Sequence, residues 1–520
     1  MSAADDAGSG ATRESGSGGG RLLVTVSVML ATIMQALDTT IANVALPHMQ
    51  GSLSTTQDQI SWVLTSYIVA AAIMTPPAGF LAARFGRRRL FVWSVAGFTV
   101  ASMLCGIAGS LPEMVAYRLL QGVFGAALVP LSQAILLDTY PKEKHGQAMA
   151  MWGVGVMIGP ILGPTLGGYL TEYYDWRWVF LINLPVGILA LAGILASVPE
   201  TAPDRRRPFD AFGFAFLSLA IGALQMMLDR GESKDWFSST EIVVEAALAG
   251  LGLYVFLVHM FTHRRPFLDP ALFRDRNFTA GLALIFMVGV ILFATMTLLP
   301  PFLQNLKGYP VIDVGFLLAP RGLGVMVMMA IVGRLIGRVD ARLLIAAGFA
   351  LAAFSLWEMS RFSLDVTPWM IVWTGVVQGF GLGLIFVPLS TVTFATLAPH
   401  LRNEATALFS LMRNIGSSIG ISIVISLLSQ NTQVNHASLA EHVSRFNPLM
   451  QRPWLPLPWS IDEAQGLAAL NAEVTRQAAA IAYLNDFLLM MVVTLAALPL
   501  VLLLRAPRRA HAPAGAAALE

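Results

Sequence analysis

MWGVGVMIGPILGPTLGGYL, residues 151–170, is apolar enough to cross a bilayer, yet it carries Gly153, Gly155, Gly159, Gly163, Gly167 and Gly168 with Pro160 and Pro164 among them. In a soluble helix a glycine or proline costs roughly 1 to 3 kcal/mol relative to alanine. In lipid, small residues spaced by three or four let another backbone approach closely, and a neighbouring helix satisfies the groups that proline leaves open. The stretch therefore reads as a bent, smooth-faced membrane helix that packs against something that moves or must seal.

The rest of the chain agrees. Of 520 residues, 56% are hydrophobic and 12% charged, and mean hydropathy is +0.67. Water-soluble proteins of this length need far more charge to cover their surface, so the composition is that of a polytopic membrane protein. A net charge of +2 is too mild to point to nucleic acid. The single cysteine, Cys105, lies inside an apolar span, which leaves no disulfide framework, and the eight histidines show no metal-ligand spacing.

Apolar segments of about 20 residues, the length needed to cross roughly 30 Å of hydrocarbon, fall near 22–46, 60–82, 90–109, 113–137, 147–169, 178–197, 209–229, 240–261, 279–303, 314–337, 343–360, 368–395, 404–428 and 483–504. Counted by turns, one set of tails and loops holds 22 of the 33 basic residues and the other holds 8, with Arg118, Arg321 and Arg413 inside helices. By the positive-inside rule the richer set is cytoplasmic, and both termini lie on that side of the membrane. Residues 1–20 and 506–520 read as flexible ends.

An internal repeat is visible. GFLAARFGRRRL (79–90) aligns with GRLIGRVDARLL (333–344), and QGVFGAALVPLS (121–132) with QGFGLGLIFVPLS (378–390), at offsets of 254 and 257. The expected architecture is all-α: six-helix halves at 21–200 and 266–505, with two helices inserted at 201–265 and the substrate path between the halves. The external segment 429–482 reads either as a tethered loop or as a docking surface, and its 461–481 portion as a mostly polar helix.

LDTTIANVALP (37–47) places Asp38 within an otherwise apolar span. An intramembrane carboxylate costs on the order of 3 kcal/mol, which makes it a functional-site candidate. At 1.5 Å per residue Asp38 lies roughly 13 Å, and Arg118 roughly 9 Å, below the outer ends of their helices. They are close enough in depth to meet. An arginine beside Asp38 holds it ionised, and separation lets it take a proton; a static ion pair has the same sequence. Asp38 stands as the one well-embedded acid against Arg118, Arg321 and Arg413. Such a cavity suits lipophilic weak acids or neutral aromatics better than dications. Methionines such as Met326, Met328 and Met329 either line an adaptable pocket or simply pack.

Several strings resemble the major facilitator superfamily. Gly155, Gly159-Pro160, Gly163-Pro164 and Gly167-Gly168 match its exporters' antiporter motif on the fifth helix. LDTTIANVALP and RLLQGVFGAA (118–127) resemble the first- and fourth-helix motifs of the fourteen-helix drug:proton antiporters. GFLAARFGRRRL resembles the loop signature G-x-L-A-D-R-x-G-R-R, with Gly79, Arg84, Gly86, Arg87 and Arg88 in place but Ala83 where the pattern has aspartate. WRWVFLINLPVG (176–187), APRGLG (319–324) and RNIGSSIG (413–420) are also similar to this family, closest to its EmrB-type branch.

The resemblance implies export of lipophilic small molecules or uncoupler-like weak acids against protons, with membrane lipid around it and no cofactor beyond the proton gradient. It also implies a periplasmic adaptor protein and an outer-membrane channel as partners. Asp38 and Arg118 would couple to protons, Thr39, Asn43, Gln121, Arg321, Gln378 and Arg413 would line the cavity, and the residue-79–90 loop would gate the cytoplasmic side with a weaker clamp or another acid. A metabolite exporter or a non-transporting sensor on the same fold are the alternatives. No nucleophile with a base, metal cluster or phosphate loop points to an enzyme.

Overall fold

The computed structural model describes residues 18–203, 208–336, 338–444, 446–448, 459–461 and 463–505. The basic run 205–207, the Pro/Trp-rich 451–458 and the tail from 506 lie outside the described residues, as does the side chain of Pro160. Gly18 to Gly20, expected in the flexible leader, instead form the first turn of the first helix.

Among the described residues thirteen helices are long and apolar enough to cross a membrane, and Trp62–Met74 with Pro77–Phe85, bent by 58°, makes a fourteenth. In order they are α1 (Gly18–Ser52), α2 (the bent pair), α3 (Arg87–Ile107), α4 (Leu111–Thr139), α5 (His145–Tyr173), α6 (Trp178–Ser197) and α7 (Ala211–Arg230). There follow α8 (Thr240–Thr262), α9 (Arg276–Pro301), α10 (Val311–Leu335), α11 (Ala341–Met359), α12 (Pro368–Ala395), α13 (Arg402–Ala440) and α14 (Ala464–Ala496). The bend in α2 falls at Pro76 and Pro77, which supply no N–H to the ladder. A second proline pair, Pro300 and Pro301, ends α9 in a π turn, Phe302–Leu306. Asp210, Asp275 and Asp340 cap α7, α9 and α11 by accepting from backbone N–H groups of the first turn.

The packing repeats as the sequence does. In the first half α1 packs on α5, α2 on α4 and α3 on α6; in the second α9 packs on α13, α10 on α12 and α11 on α14. The halves meet along α5 and α10 and, on the side carrying the basic loops, where α13 meets the second segment of α2 and the end of α4. The basic side is thereby closed. Inserted α7 and α8 pair with each other, and α7 touches both α2 and α13. Trp93, Ile107, Leu189, Leu251, Tyr254 and Phe261 are exposed around the outside, as a lipid-facing surface requires.

The last two spans differ from expectation. The span expected at 404–428 belongs to a helix of 39 residues, about 58 Å long, and the one at 483–504 to a helix that starts at Ala464. Their extra turns form an antiparallel hairpin beyond the hydrocarbon core on the far side from the basic loops. Polar contacts join it, His436 Nε2 to Asn471 Oδ1 at 3.0 Å and Asn435 Nδ2 to the Ala478 carbonyl at 3.4 Å.

Candidate functional site

Asp38 and Arg118 meet. The Arg118 Nη1 lies 2.7 Å from Asp38 Oδ2, with the two side chains 1% and 0% exposed. The other carboxylate oxygen accepts from Gln121 Nε2 at 2.8 Å and from Asn183 Nδ2 at 3.1 Å. Arg118 is held independently: its Nε donates to the Val63 carbonyl at 2.9 Å, its Nη1 to Gln121 Oε1 at 2.7 Å, and its guanidinium carbon lies 4.3 Å from the centroid of the Tyr67 ring. Asn183 in turn donates to Ser102 Oγ at 2.8 Å. Helices α4 and α6 thus bond the carboxylate carried by α1, α3 steadies Asn183 through Ser102, and α2 supports the cation. A buried pair is tolerated only when geometry and added hydrogen bonds offset its desolvation, and both oxygens of Asp38 are satisfied here.

The motif glycines of α5 set this aim. A Cβ at Gly159 would meet the Ala36–Leu37 backbone, one at Gly163 the Thr40 side chain and one at Gly167 would lie 2.9 Å from Ile41 Cγ1. Thr40 Oγ1 also donates to the Gly159 carbonyl at 3.1 Å. The residues on both sides of Asp38 are therefore seated in α5, and Asp38 itself points the opposite way, into its own half. Gly155 faces Met29 of α1, whereas a Cβ on Gly168 would meet nothing within 4 Å. The seal with the other half uses a different set. Glycines of α10 receive α5 there: Gly315 against Thr165, Gly322 against Ile161 and Gly333 against Ala150.

The residues expected to line the cavity separate into two groups. Asn43 is exposed, Thr39 is half-buried with Oγ1 donating to the Ala36 carbonyl, and Arg413 is half-buried with Nε unpartnered. Arg321 is buried, with one long contact from Nη2 to the Leu292 carbonyl at 3.4 Å. Gln121 and Gln378 do not line an open cavity: both are fully buried and join helices, Gln121 to Asp38 and Gln378 Nε2 to Thr295 Oγ1 at 3.3 Å. Met329 is buried with its sulfur against Gly153 of α5, a packing role. The expectation of a single embedded acid is corrected as well, because Asp486 on α14 is 1% exposed.

On the basic side Ala83 supplies no acid, and Asp138 at the end of α4 takes its place. Its Oδ2 pairs with Arg87 at the start of α3 and its Oδ1 accepts from Arg402 Nη1 of α13 at 2.7 Å, so one carboxylate bridges the halves. Gly86 has φ +93°, which an L side chain rarely adopts, and makes the turn from α2 to α3. Gly79 allows the close approach of α13, since a Cβ there would lie 2.8 Å from Glu404 Cα. Arg88 donates to the Leu195 carbonyl, and Arg84 lies in the last turn of α2.

Sequence reading missed Tyr67, Asn183, Asp138, Arg402 and Asp486. Asn183 was visible as an amide inside the apolar string WRWVFLINLPVG. Asp138 and Arg402 stand at helix ends, where a charge reads as loop, whereas Asp486 lies inside α14.

A family profile described as Major Facilitator Superfamily matches residues 28–421. The chain is 37% identical over 460 residues to the multidrug export protein EmrB of Escherichia coli K12, covering 88% of this chain and 90% of that one. It is 36% identical over 487 residues to the fatty acid resistance protein FarB of Neisseria gonorrhoeae, covering 93% and 96%. Among solved structures, the human organic anion transporter MFSD10 superposes with a TM-score of 0.57 at 15% identity, covering 91% of this chain and 99% of that one. A bacterial homologue of the human lysosomal transporter Spinster gives 0.55 at 18%, covering 94% and 97%. These last two likenesses show the fold alone. With the profile spanning most of the fold and relatives of this identity matched nearly end to end, the chain belongs to the major facilitator superfamily, as a multi-pass membrane transporter of the fourteen-helix EmrB type.

Proposed function

We propose that this protein is a proton-coupled antiporter that exports lipophilic compounds, preferentially anions and neutral aromatics, from the cytoplasm of a bacterium across its inner membrane. The observation that carries the proposal is the buried Asp38–Arg118 pair. Protonating Asp38 removes the charge that Arg118 answers, while Arg118 keeps the Val63 carbonyl, Gln121 and the Tyr67 ring. The pair can therefore part without stranding the cation, and two arrangements of nearly equal energy are what alternating access needs.

The preference for anions rests on Arg321 and Arg413. Neither forms an ion pair among the described residues, so an anionic ligand would supply the missing charge. The names of the relatives agree: one is a multidrug export protein and one a fatty acid resistance protein. The basic side, with both termini, faces the cytoplasm. The helical hairpin beyond the membrane on the other side would be the element that meets a periplasmic adaptor, with an outer-membrane channel completing the pump.

The test is transport in proteoliposomes under an imposed pH gradient, with anilinonaphthalene sulfonate as a lipophilic anion that carries no proton of its own. Uptake into the acidic lumen coupled to proton exit supports the reading. Uptake that ignores the gradient, or a preference for divalent quaternary amines, overturns it.

A further inference from the structure

Four carboxylates are buried among the described residues, Asp38, Glu245, Glu404 and Asp486, and of these Asp486 lies within the last membrane span and is used by none of the chemistry above. It lies 18 residues before Leu504 on α14 and its short extension, so at 1.5 Å per residue it is about 27 Å from the basic side of a core roughly 30 Å thick. That is close to the far surface, yet the residue is 1% exposed. Its neighbours on the helix, Tyr483 and Phe487, pack with rings from two other elements. Phe302 of the π turn lies 5.5 Å from Tyr483 and 6.5 Å from Phe487, and Phe362, just past α11, lies 6.4 Å from Phe487.

Among the described residues no cation answers the acid. Its Oδ2 has no hydrogen-bond partner, and among the described residues Asp486 forms no ion pair. The charged or titratable groups on the elements packed around α14 are engaged elsewhere or lie at its outer margin. Lys307, at the end of the π turn, donates to the Leu364 carbonyl. The Arg361 guanidinium lies over the Trp357 ring, 4.8 Å from its centroid, while Glu358 sits beside it at the outer end of α11. His436 of α13 bonds Asn471. Tyr483, one turn earlier on α14, is the remaining titratable neighbour.

A carboxylate in such a place would carry a desolvated, uncompensated charge, which proteins avoid by neutralising the group. The contrast with Asp38 is direct, since Asp38 has a guanidinium and two amides. Asn183 on α6, the sixth helix of the first half, donates to Asp38; Asp486 is the buried charged group on the sixth helix of the second half.

We propose that Asp486 is a second proton-carrying carboxyl, loaded from the far side through the Phe302–Phe362–Phe487 cluster and protonated in the conformation described here while Asp38 is paired with Arg118, and unloaded to the basic side later in the cycle. The role rests on the antiport reading above, but the protonation itself does not. Each step is a transfer of one proton between water and Asp486 Oδ1 or Oδ2, with no other reactant.

Two measurements test this. Infrared difference spectra of the purified protein at neutral pH read the C=O stretch of a protonated carboxyl. That band should vanish in Asp486→Asn and persist in Asp38→Asn. In proteoliposomes, the ratio of protons to anilinonaphthalene sulfonate, read from the reversal gradient, should fall by one in Asp486→Asn and stay at the wild-type value in Asp486→Glu. The asparagine is nearly isosteric with a neutral acid, so the variant should fold; detergent thermal stability within a few degrees of wild type checks this. A band that survives in Asp486→Asn, or a ratio that does not change, overturns the inference while leaving the Asp38 reading in place. A wild-type protein that moves the anion without protons overturns both the antiport reading and the coupling role.

Discussion

The two halves of this transporter repeat one architecture and differ in where they put charge. In the first half the helix-4 arginine, the helix-1 aspartate and the helix-4 glutamine form a closed, fully bonded cluster, Arg118, Asp38 and Gln121. Moved by the offset of 257 that relates Gln121 to Gln378, Arg118 becomes Gly375; moved by 254, Asp38 becomes Leu292. Arg321 of α10 fills part of that space instead: a Cβ on Gly375 would lie 3.4 Å from its Cβ, and its guanidinium reaches the Leu292 carbonyl. The second half thus has its cation without an acid and, on α14, an acid without a cation. A matched pair can store and release one proton, whereas separated charges leave a site for something brought from outside. On the antiport reading proposed above, the same helical frame would support coupling in one half and cargo in the other.

The sharpest way to break this comparison is to unmatch the pair. Asp38→Asn should abolish gradient-driven efflux, by about 100-fold or more, as expected for loss of an obligatory proton carrier. Arg118→Leu alone should also destabilise the protein by about 3–5 kcal/mol, because Asp38 is left buried and unanswered. The double variant should recover much of the thermal stability without transport. Stability that stays low in the double variant would show that Arg118 serves mainly its contacts with Val63 and Tyr67.

Next comes the seat of Asp38 rather than Asp38 itself. Gly159→Val places a branched side chain against the Ala36–Leu37 backbone and should displace α1, cutting coupled efflux roughly 10-fold or more while the protein still inserts, since overpacking costs about 1–3 kcal/mol. Gly168→Ala, where a Cβ would meet nothing, should transport like wild type. Equal effects at the two positions would detach the motif from the carboxylate.

Smaller effects are expected from the second half and the basic-side clamp. Arg321→Gln should raise the half-saturating concentration of a lipophilic anion about 10-fold, the worth of one charged hydrogen bond, and leave a neutral aromatic substrate unchanged. Loss of both substrates alike would make Arg321 structural. Arg402→Gln removes one arm of the Asp138 bridge and should shift the conformational balance away from basic-side closure by about 1 kcal/mol or less, because Asp138 is partly exposed and screened. Accessibility of a cysteine placed in the gate loop would report that shift.

The fourteen spans, the repeat, the inserted pair and the meeting of Asp38 with Arg118 were all readable along the chain. Hydrophobic runs of fixed length and basic loops on alternate sides are one-dimensional signals, and the depth of a residue in its helix follows from its rank. Other features were not readable. Asp138 stands at the end of α4 and Arg402 at the start of α13, 264 residues apart, and each looks like an ordinary loop charge until the fold closes them on one another. Gln121 and Gln378 looked like cavity residues, but side-chain direction around a helix depends on which neighbours it packs against. Asp486 was hidden because α14 begins outside the membrane, so its entry into lipid carries no break in pattern.

What the sequence alone determined is how many times the chain crosses, which residues are forced to lie in hydrocarbon, and that a carboxylate there must have a use. These follow from local costs of desolvation, which each residue carries wherever it goes. Pairing, meaning which buried charge has a partner and which has none, came from the packed fold. That depends on helices distant in sequence and on glycine-lined contacts of a few ångströms, and no local cost encodes it.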